Sequence, residues 1–417
     1  MSHIALVIPG LDKIAGAERQ VMSLAKGMRC RGWRVSVVAL SGAGGNAAAE
    51  LKAAGVEFLS LEMRKGLADP RGWIRFSRWI ERERPQVVHA HLPHAAWLAR
   101  WSRLATPGHG WSGLAWPGLA SSFYAVIDTL HSSSTGKLLR RIGYRFSDWL
   151  ADGVTAVSQS VADAHIAAGM VDRNKLTVFW NGVDVEEFRP DAQARETVRR
   201  ELGLNGDFLW LAAGRLETVK DYPTLLHAFA RVPEPARLLI AGDGTLQSEL
   251  CRLSARLGLE RRVRFLGFQS DVKPWMQAAD GFVLTSRWEG LPVGLLEAGA
   301  CALPSIATDV PGSREVIVNG RTGRLTPCGA PNALAGEMIA MAQSSPQERR
   351  AMGNLARLHI TERFSLDAML DRWENLYRSL LAYSYLTNHG VRDPVPAQRP
   401  IWMQNNAIGR RAHPRTQ

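Results

Sequence analysis

The sequence predicts an α/β protein of two Rossmann-like, doubly wound domains facing each other across a cleft. Three observations carry this. Short apolar runs rich in valine alternate with helical runs through the first 175 residues, joined by short loops, which is the mark of a parallel sheet wrapped by helices. The same alternation restarts after a stretch of turns around Asn181, Gly182 and Pro190. A length of 417 residues suffices for two or three domains.

Taken in order, residues 4–9, 33–40, 56–61, 87–91, 123–130 and 154–157 read as strands. Residues 17–31, 47–54, 73–84, 95–104 and 137–150 read as helices between them, with Ser158 placed to cap the next. A short strand at 175–179 opens the second domain. Strands then fall at 208–213, 237–241, 263–267, 281–284 and 305–308. Helices fall at 222–230, 246–257, 271–278, 333–341 and 346–360, with more up to about Leu380. The predicted domains are 1–175 and 176–363, followed by a helix over 364–384. Residues 385–417, rich in Pro, Asn and Arg without periodicity, read as a disordered tail. Residues 106–122 fit neither helix nor strand. Trp111 and Trp116 there suit a membrane interface and equally suit packing beneath the first domain.

Four cysteines without a CxxC pair argue against a disulfide framework or structural zinc, and point to a reducing, cytoplasmic setting. The first apolar run is too short for a signal peptide, and no run reaches transmembrane length. The formal net charge of +12 is uneven: +9 in residues 1–175, −1 in 176–384 and +4 in the remainder. Such asymmetry predicts an anionic partner for the first half. No nucleic-acid-binding signature accompanies it, so an anionic membrane surface is the expected partner, with the protein peripheral on the inner face.

Chemistry is sought at the carboxyl ends of the strands, where doubly wound sheets bind ligands. The strand ending at Leu284 is followed by the turn Glu289-Gly290-Leu291-Pro292 and then by a small, leucine-rich helical run. Pro292 suits the first helical turn. The bare helix start, with backbone amides around Gly290 and Val293, is a site for an anion. Glu289 and Glu297, with seven residues between them, repel phosphate and so should face hydroxyls. Phosphate flanked by polyols describes a nucleotide sugar. On spacing alone, two such glutamates would be an ordinary solvated face.

Other strand ends add candidates. Gly16, at the entry of the first long helix, lets backbone approach a ligand. Arg215 and Lys220 can converge on one anion from the two sides of a turn and stabilise a leaving diphosphate. There is no Asp-x-Asp in the chain, so a metal-free mechanism without cofactor is expected. Gly242 either lines the nucleotide pocket or simply forms a turn. His89, His91 and His94 invite a zinc reading, but no acidic or cysteine partner lies near in sequence. Contact with an acceptor, at His91 and His94, or a structural role fits them better. His131 ends a strand, in a place suited to facing a cleft or to a structural role.

In this order, Arg215 and Lys220, Ala241-Gly242-Asp243-Gly244, Phe265-Leu266-Gly267-Phe268, and Ser286-Arg287-Trp288-Glu289-Gly290-Leu291-Pro292 through Glu297 resemble the retaining glycosyltransferases of family 4, which have the GT-B fold. Gly16-Ala17-Glu18-Arg19, Thr155-Ala156-Val157-Ser158 and Asn181-Gly182-Val183-Asp184 match too, so the resemblance spans roughly residues 3–380. It implies a UDP- or GDP-sugar donor held by the second domain and an acceptor held by the first. It implies that Glu289 contacts the donor sugar, Glu297 the ribose, and Arg215 with Lys220 the diphosphate. Backbone of Gly290, Leu291, Pro292 and Val293 would meet sugar and phosphate, and Gly242 and Phe268 belong to the same donor site. It places His131 near the reacting carbon and implies that the last helix crosses back to the first domain. Ala15-Gly16 stands where the family often has Gly-Gly. A lipid-linked or polysaccharide acceptor of cell-envelope or exopolysaccharide assembly is the expected partner. A sugar-nucleotide epimerase and a non-catalytic binding subunit are alternatives on the same fold.

Overall fold

The computed structural model describes residues 1–12, 14–64, 69–105, 124–136, 138–204 and 206–388. The tryptophan-bearing stretch 106–122 and the tail beyond 388 lie outside the described residues. Two compact units are present. One comprises Met1–Trp180 with the chain from Met369 onward, and the other comprises Asn181–Ala368.

The first unit opens with β1 (His3–Ile8), α1 (Gly16–Cys30), β2 (Arg34–Ala39), α2 (Gly45–Ala53) and β3 (Glu57–Ser60). It continues through α3 (Pro70–Glu83), β4 (Val87–His91), α4 (Pro93–Ala105), β5 (Ala125–Leu130) and α5 (Leu138–Phe146). A 3-10 turn, Asp148–Leu150, leads to β6 (Gly153–Ala156), α6 (Gln159–Ala167) and β7 (Leu176–Val178). Every strand pairing is parallel, in the order β3-β2-β1-β4-β5-β6-β7. Strands covered on both faces read as continuous apolar runs, and β1 is buried at all its positions. Ser158 caps α6 as expected, its Oγ accepting the Val161 N–H at 3.2 Å.

The second unit contains α7 (Ala192–Glu201), β8 (Phe208–Ala213), α8 (Tyr222–Phe229), β9 (Ala236–Ala241), α9 (Gln247–Arg256) and β10 (Val263–Gly267). Then come α10 (Lys273–Ala278), β11 (Gly281–Leu284), α11 (Val293–Ala300), β12 (Ser305–Thr308) and α12 (Pro311–Val316). β13 (Gly323–Thr326), α13 (Pro331–Gln343) and α14 (Pro346–Phe364) complete it. Its sheet is again parallel, in the order β10-β9-β8-β11-β12-β13. Trp210, Leu238, Ile240, Val283 and Ile306 from the strands meet Leu225, Phe229, Leu250 and Met338 from the helices in one core.

The last helix, α15 (Leu366–Asn388), belongs to the first unit over most of its length. Trp373, Leu376, Tyr377 and Leu380 are buried. Leu370 lies over Gly27 of α1 so closely that a Cβ there would meet its Cδ1 at 2.5 Å. Arg31 pairs with Asp371 at 2.6 Å and Glu374 at 3.1 Å.

Several boundaries differ from the sequence reading. The strand expected to mark the second domain's start is β7, which pairs with β6 of the first sheet, so the division follows Trp180 and not residue 175. The helix expected over 137–150 stops at Phe146 and resumes as the 3-10 turn. Pro292 is not inside α11 but is its N-cap residue, in extended conformation. α7, α12 and β13 were not expected; α12 and β13 are too short to show a period.

Candidate functional site

In the second unit the strand order reverses between β8 and β11, so the crevice where such sheets bind ligands is walled by the loops after those two strands. These loops carry Arg215, Lys220 and Glu289. Lys220 Nζ donates to Glu289 Oε1 at 2.5 Å, and Ser286 Oγ donates to the same oxygen at 2.5 Å. The pair is only slightly open to solvent. The loops are laced together beneath it. The Arg287 N–H donates to Val219 O at 2.8 Å, and Thr285 Oγ1 donates to Lys220 O at 2.8 Å. Thr308 Oγ1, at the end of β12, donates to Ser286 O. Asp221, in the left-handed region at φ 48°, pairs with Arg287 at 3.3 Å. Tyr222 OH donates to Gly214 O at 3.0 Å; burial, then the Glu289 charge, pushes its phenol pKa upward.

Glycines bring the loop backbones close. A Cβ on Gly242, at φ 143°, would stand 2.0 Å from Gly214 O, so only glycine fits there. Gly242 N–H donates to Gly267 O at 2.8 Å, and Gly214 N–H to Ala241 O at 2.9 Å. The ends of β8, β9 and β10 thereby form one floor. Gly312 of α12 lies against the Glu289-Gly290 turn, where a Cβ would meet Gly290 O at 2.7 Å.

The other predicted donor residues sort by exposure. Arg215 is exposed and has no ion-pair partner among the described residues, so its guanidinium is available to an anion. Phe268, after β10, exposes 57% of its surface, a platform open to a ring. Leu291 and Pro292 are buried. Gly290 is buried, while Val293 is partly open at the start of α11. Glu297 is buried in α11. It lies near Cys301, whose thiol is pushed up to about 12 by burial first and then by the Glu297 charge.

The first unit brings other predicted residues together. Its order reverses between β1 and β4, so the loops after these strands, with Gly16, His91 and His94, border this sheet's own crevice. Gly16 is exposed at the start of α1, where Glu18 accepts the Ala15 N–H at 3.1 Å. His91 Nδ1 contacts His131 Nε2 at 3.0 Å. One proton serves that contact, so the two rings hold complementary tautomers. His89 bridges Tyr377 OH at 2.7 Å and Thr129 Oγ1 at 2.6 Å, and Thr129 reaches Thr155 at 2.7 Å. His91 Nε2 is buried and has no hydrogen-bond partner among the described residues. His94 is exposed on the first turn of α4, apart from this chain of hydrogen bonds. Among the described residues no group of three His, Cys, Asp or Glu could hold a metal ion.

Burial lowers the pKa of His131 to about 4; it holds His89 and His91 well below the ordinary value too, with charge repulsion between the rings second. Below pH 6.5 the unfolded chain takes up protons that these rings refuse. The stability present above pH 6.5 is therefore expected to fall as the pH drops toward about 4. Denaturant unfolding between pH 8 and pH 4 checks the sign, and His131→Gln should flatten that slope.

Sequence reasoning missed Ser286, Thr308, Asp221 and Tyr377. Ser286 was visible three residues before Glu289 inside the same turn. Tyr377 carried no signal, since 288 residues separate it from His89.

Residues 14–187 match the family described as Glycosyltransferase Family 4, and residues 194–359 match the family described as Glycosyl transferases group 1. N-acetyl-α-D-glucosaminyl L-malate synthase of Bacillus anthracis is 29% identical over 72% of this chain and 76% of its own length. UDP-Gal:α-D-GlcNAc-diphosphoundecaprenol α-1,3-galactosyltransferase of Escherichia coli is 24% identical over 75% of this chain and 80% of its own. Among solved structures, HepE of Anabaena in complex with UDP-glucose superposes with a TM-score of 0.76 at 23% identity, covering 90% of this chain and 99% of that one. That likeness establishes the fold, two Rossmann-like domains of the GT-B type.

Proposed function

Because the chain belongs to glycosyltransferase family 4, the group 1 glycosyl transferases, and is therefore a glycosyltransferase acting on nucleotide-sugar donors, we propose the finer reading that it transfers with retention and without a metal ion. The donor in this reading is a UDP- or GDP-sugar. The acceptor is a lipid-linked or polysaccharide intermediate of the bacterial cell envelope, met at the inner membrane face. The observation that carries the reading is the Lys220–Glu289 pair at the point where the second sheet reverses.

A diphosphate entering that crevice meets Lys220 and the unpaired Arg215. An ammonium group has three donors, so Lys220 can keep Glu289 while it binds a phosphate oxygen. Glu289, held by Lys220 and Ser286, keeps lone pairs for sugar hydroxyls, and Glu297 takes the ribose. As the bond from the anomeric carbon to the phosphate oxygen breaks, negative charge grows on the diphosphate. Lys220, Arg215 and the start of α11 stabilise it without a metal. The acceptor hydroxyl attacks from the side the phosphate leaves, and its proton passes to the departing phosphate oxygen. His131, neutral at physiological pH, lends a hydrogen bond near the reacting carbon.

The acceptor class is supported by the E. coli relative, whose name specifies a diphosphoundecaprenol-linked sugar. Expected results are hydrolysis or transfer from an α-linked UDP- or GDP-sugar, α configuration in the product by NMR, and undiminished turnover in EDTA. A β-linked product, or activity lost in EDTA and restored by Mg²⁺, would overturn the reading. Epimer formation without acceptor would favour the epimerase alternative.

A further inference from the structure

Helix α5 is inside out. Its inward residue, Tyr144, is fully buried and bonds Asp128, while Leu138, Ile142 and Phe146 lie on the opposite face, 65%, 54% and 72% exposed. Trp149, 41% exposed, extends the stripe past the helix end. Leu138, Ile142 and Phe146, spaced at four and four residues on α5, form one line. The line continues onto α4. Trp97 lies against Gly143 of α5, where a Cβ would meet its ring at 3.0 Å, and Trp101 and Leu104 follow on the same side of α4, 37% and 42% exposed. A contiguous apolar patch of this kind on a protein surface marks an interaction site.

Charge selects the occupant. Pro93–Ala105 and Leu138–Phe146 contain no Asp or Glu; Arg140, Arg141 and Arg145 lie on α5, while Arg103 of α4 is paired with Asp152 at 3.1 Å. Arg145 is exposed beside Phe146. Apolar side chains flanked by the α5 arginines, on helices that carry no carboxylate, complement an anionic lipid surface: the rings and branched chains enter the acyl boundary and the α5 guanidinium groups meet phosphate. No described helix is long and apolar enough to cross a membrane. We propose that the α4–α5 face is the surface by which this protein docks on an anionic bilayer, resting in the headgroup plane. The proposal rests on the reading of a membrane-bound acceptor and gives it a place on the molecule.

The test uses the full chain and vesicles that contain no acceptor. Sedimentation with phosphatidylglycerol and phosphatidylcholine in equal parts should pellet the wild type, and phosphatidylcholine alone should not. Ile142→Glu with Phe146→Glu should weaken binding at least about tenfold, and Arg145→Glu less. Both variants should keep the circular dichroism spectrum and the rate of donor hydrolysis. No binding by the wild type, or equal binding by the double variant, overturns the proposal. So does a wild type that is dimeric without lipid and becomes monomeric in the double variant, since the face then joins two copies of this chain. Turnover of a lipid-linked acceptor in detergent reads the acceptor assignment separately, so failure of one is not confused with failure of the other.

Discussion

Lys220→Ala is expected to lower kcat by about 10²- to 10³-fold, the usual cost of removing one preorganised donor from a developing oxyanion. In the proposed mechanism the variant loses one of the two cations that face the departing phosphate. It also leaves Glu289 in a mostly enclosed position where, among the described residues, Ser286 alone donates to it. Glu289→Gln should cost a similar factor, because the amide cannot hold Lys220 as a carboxylate does. The two losses should not add. Each breaks the same pair, so the double variant should be little worse than the worse single one. Steady-state rates with saturating donor, measured for both single variants and the double, check this. Fully additive losses would show that Lys220 and Glu289 act apart, and would remove the observation on which the proposed function stands.

The largest expected loss of stability lies in the first unit. Arg100 of α4 has no exposed surface. It forms an ion pair with Asp128 of β5, donates to Tyr144 O and Ser147 Oγ at 3.0 Å each, and lies 4.0 Å above the Tyr144 ring. Burial pushes the Asp128 carboxyl pKa upward, and the Arg100 charge opposes that push. Arg100→Ala removes the counter-charge from a buried carboxylate and is expected to destabilise this unit by about 3–5 kcal/mol. Arg100→Leu combined with Asp128→Leu should recover much of that loss, since it leaves no lone charge inside. Denaturant titration followed by hydrogen exchange in β5 and β6 reads the first unit separately from the second. A single variant with an unchanged midpoint would refute the account.

Part of this was legible in one dimension. The alternation of strand and helix announced both parallel sheets, because strands covered on both faces must be apolar throughout. The functional loops were legible for a related reason: a parallel strand delivers its next residues to the ligand edge, so Arg215, Gly242 and Glu289 stood out by following apolar runs. Three-dimensional partners were not. Nothing in the order of residues says that Ser286 shares an oxygen of Glu289 with Lys220, or that Leu291 is buried. The membership of β7 was hidden too, because a three-residue strand before a turn looks the same whichever sheet it joins. The outward face of α5 was visible as sequence but carried no sign of direction until Tyr144 was seen to point into the core.

The return of α15 to the first unit has a consequence for how the chain is made. Synthesis runs from the N-terminus, so all the strands of the first sheet leave the ribosome early. Tyr377, the partner of buried His89, and Trp373, whose ring lies 4.5 Å from that of His89, arrive only after the whole second unit. The second unit is continuous in sequence and has every core residue it needs when Ala368 emerges. It is therefore the half able to mature first, while the first-made half waits with an open seam along β4 and α1. Chaperones that shield apolar surface would meet the N-terminal half, and a late stop codon would wound the domain that was translated first.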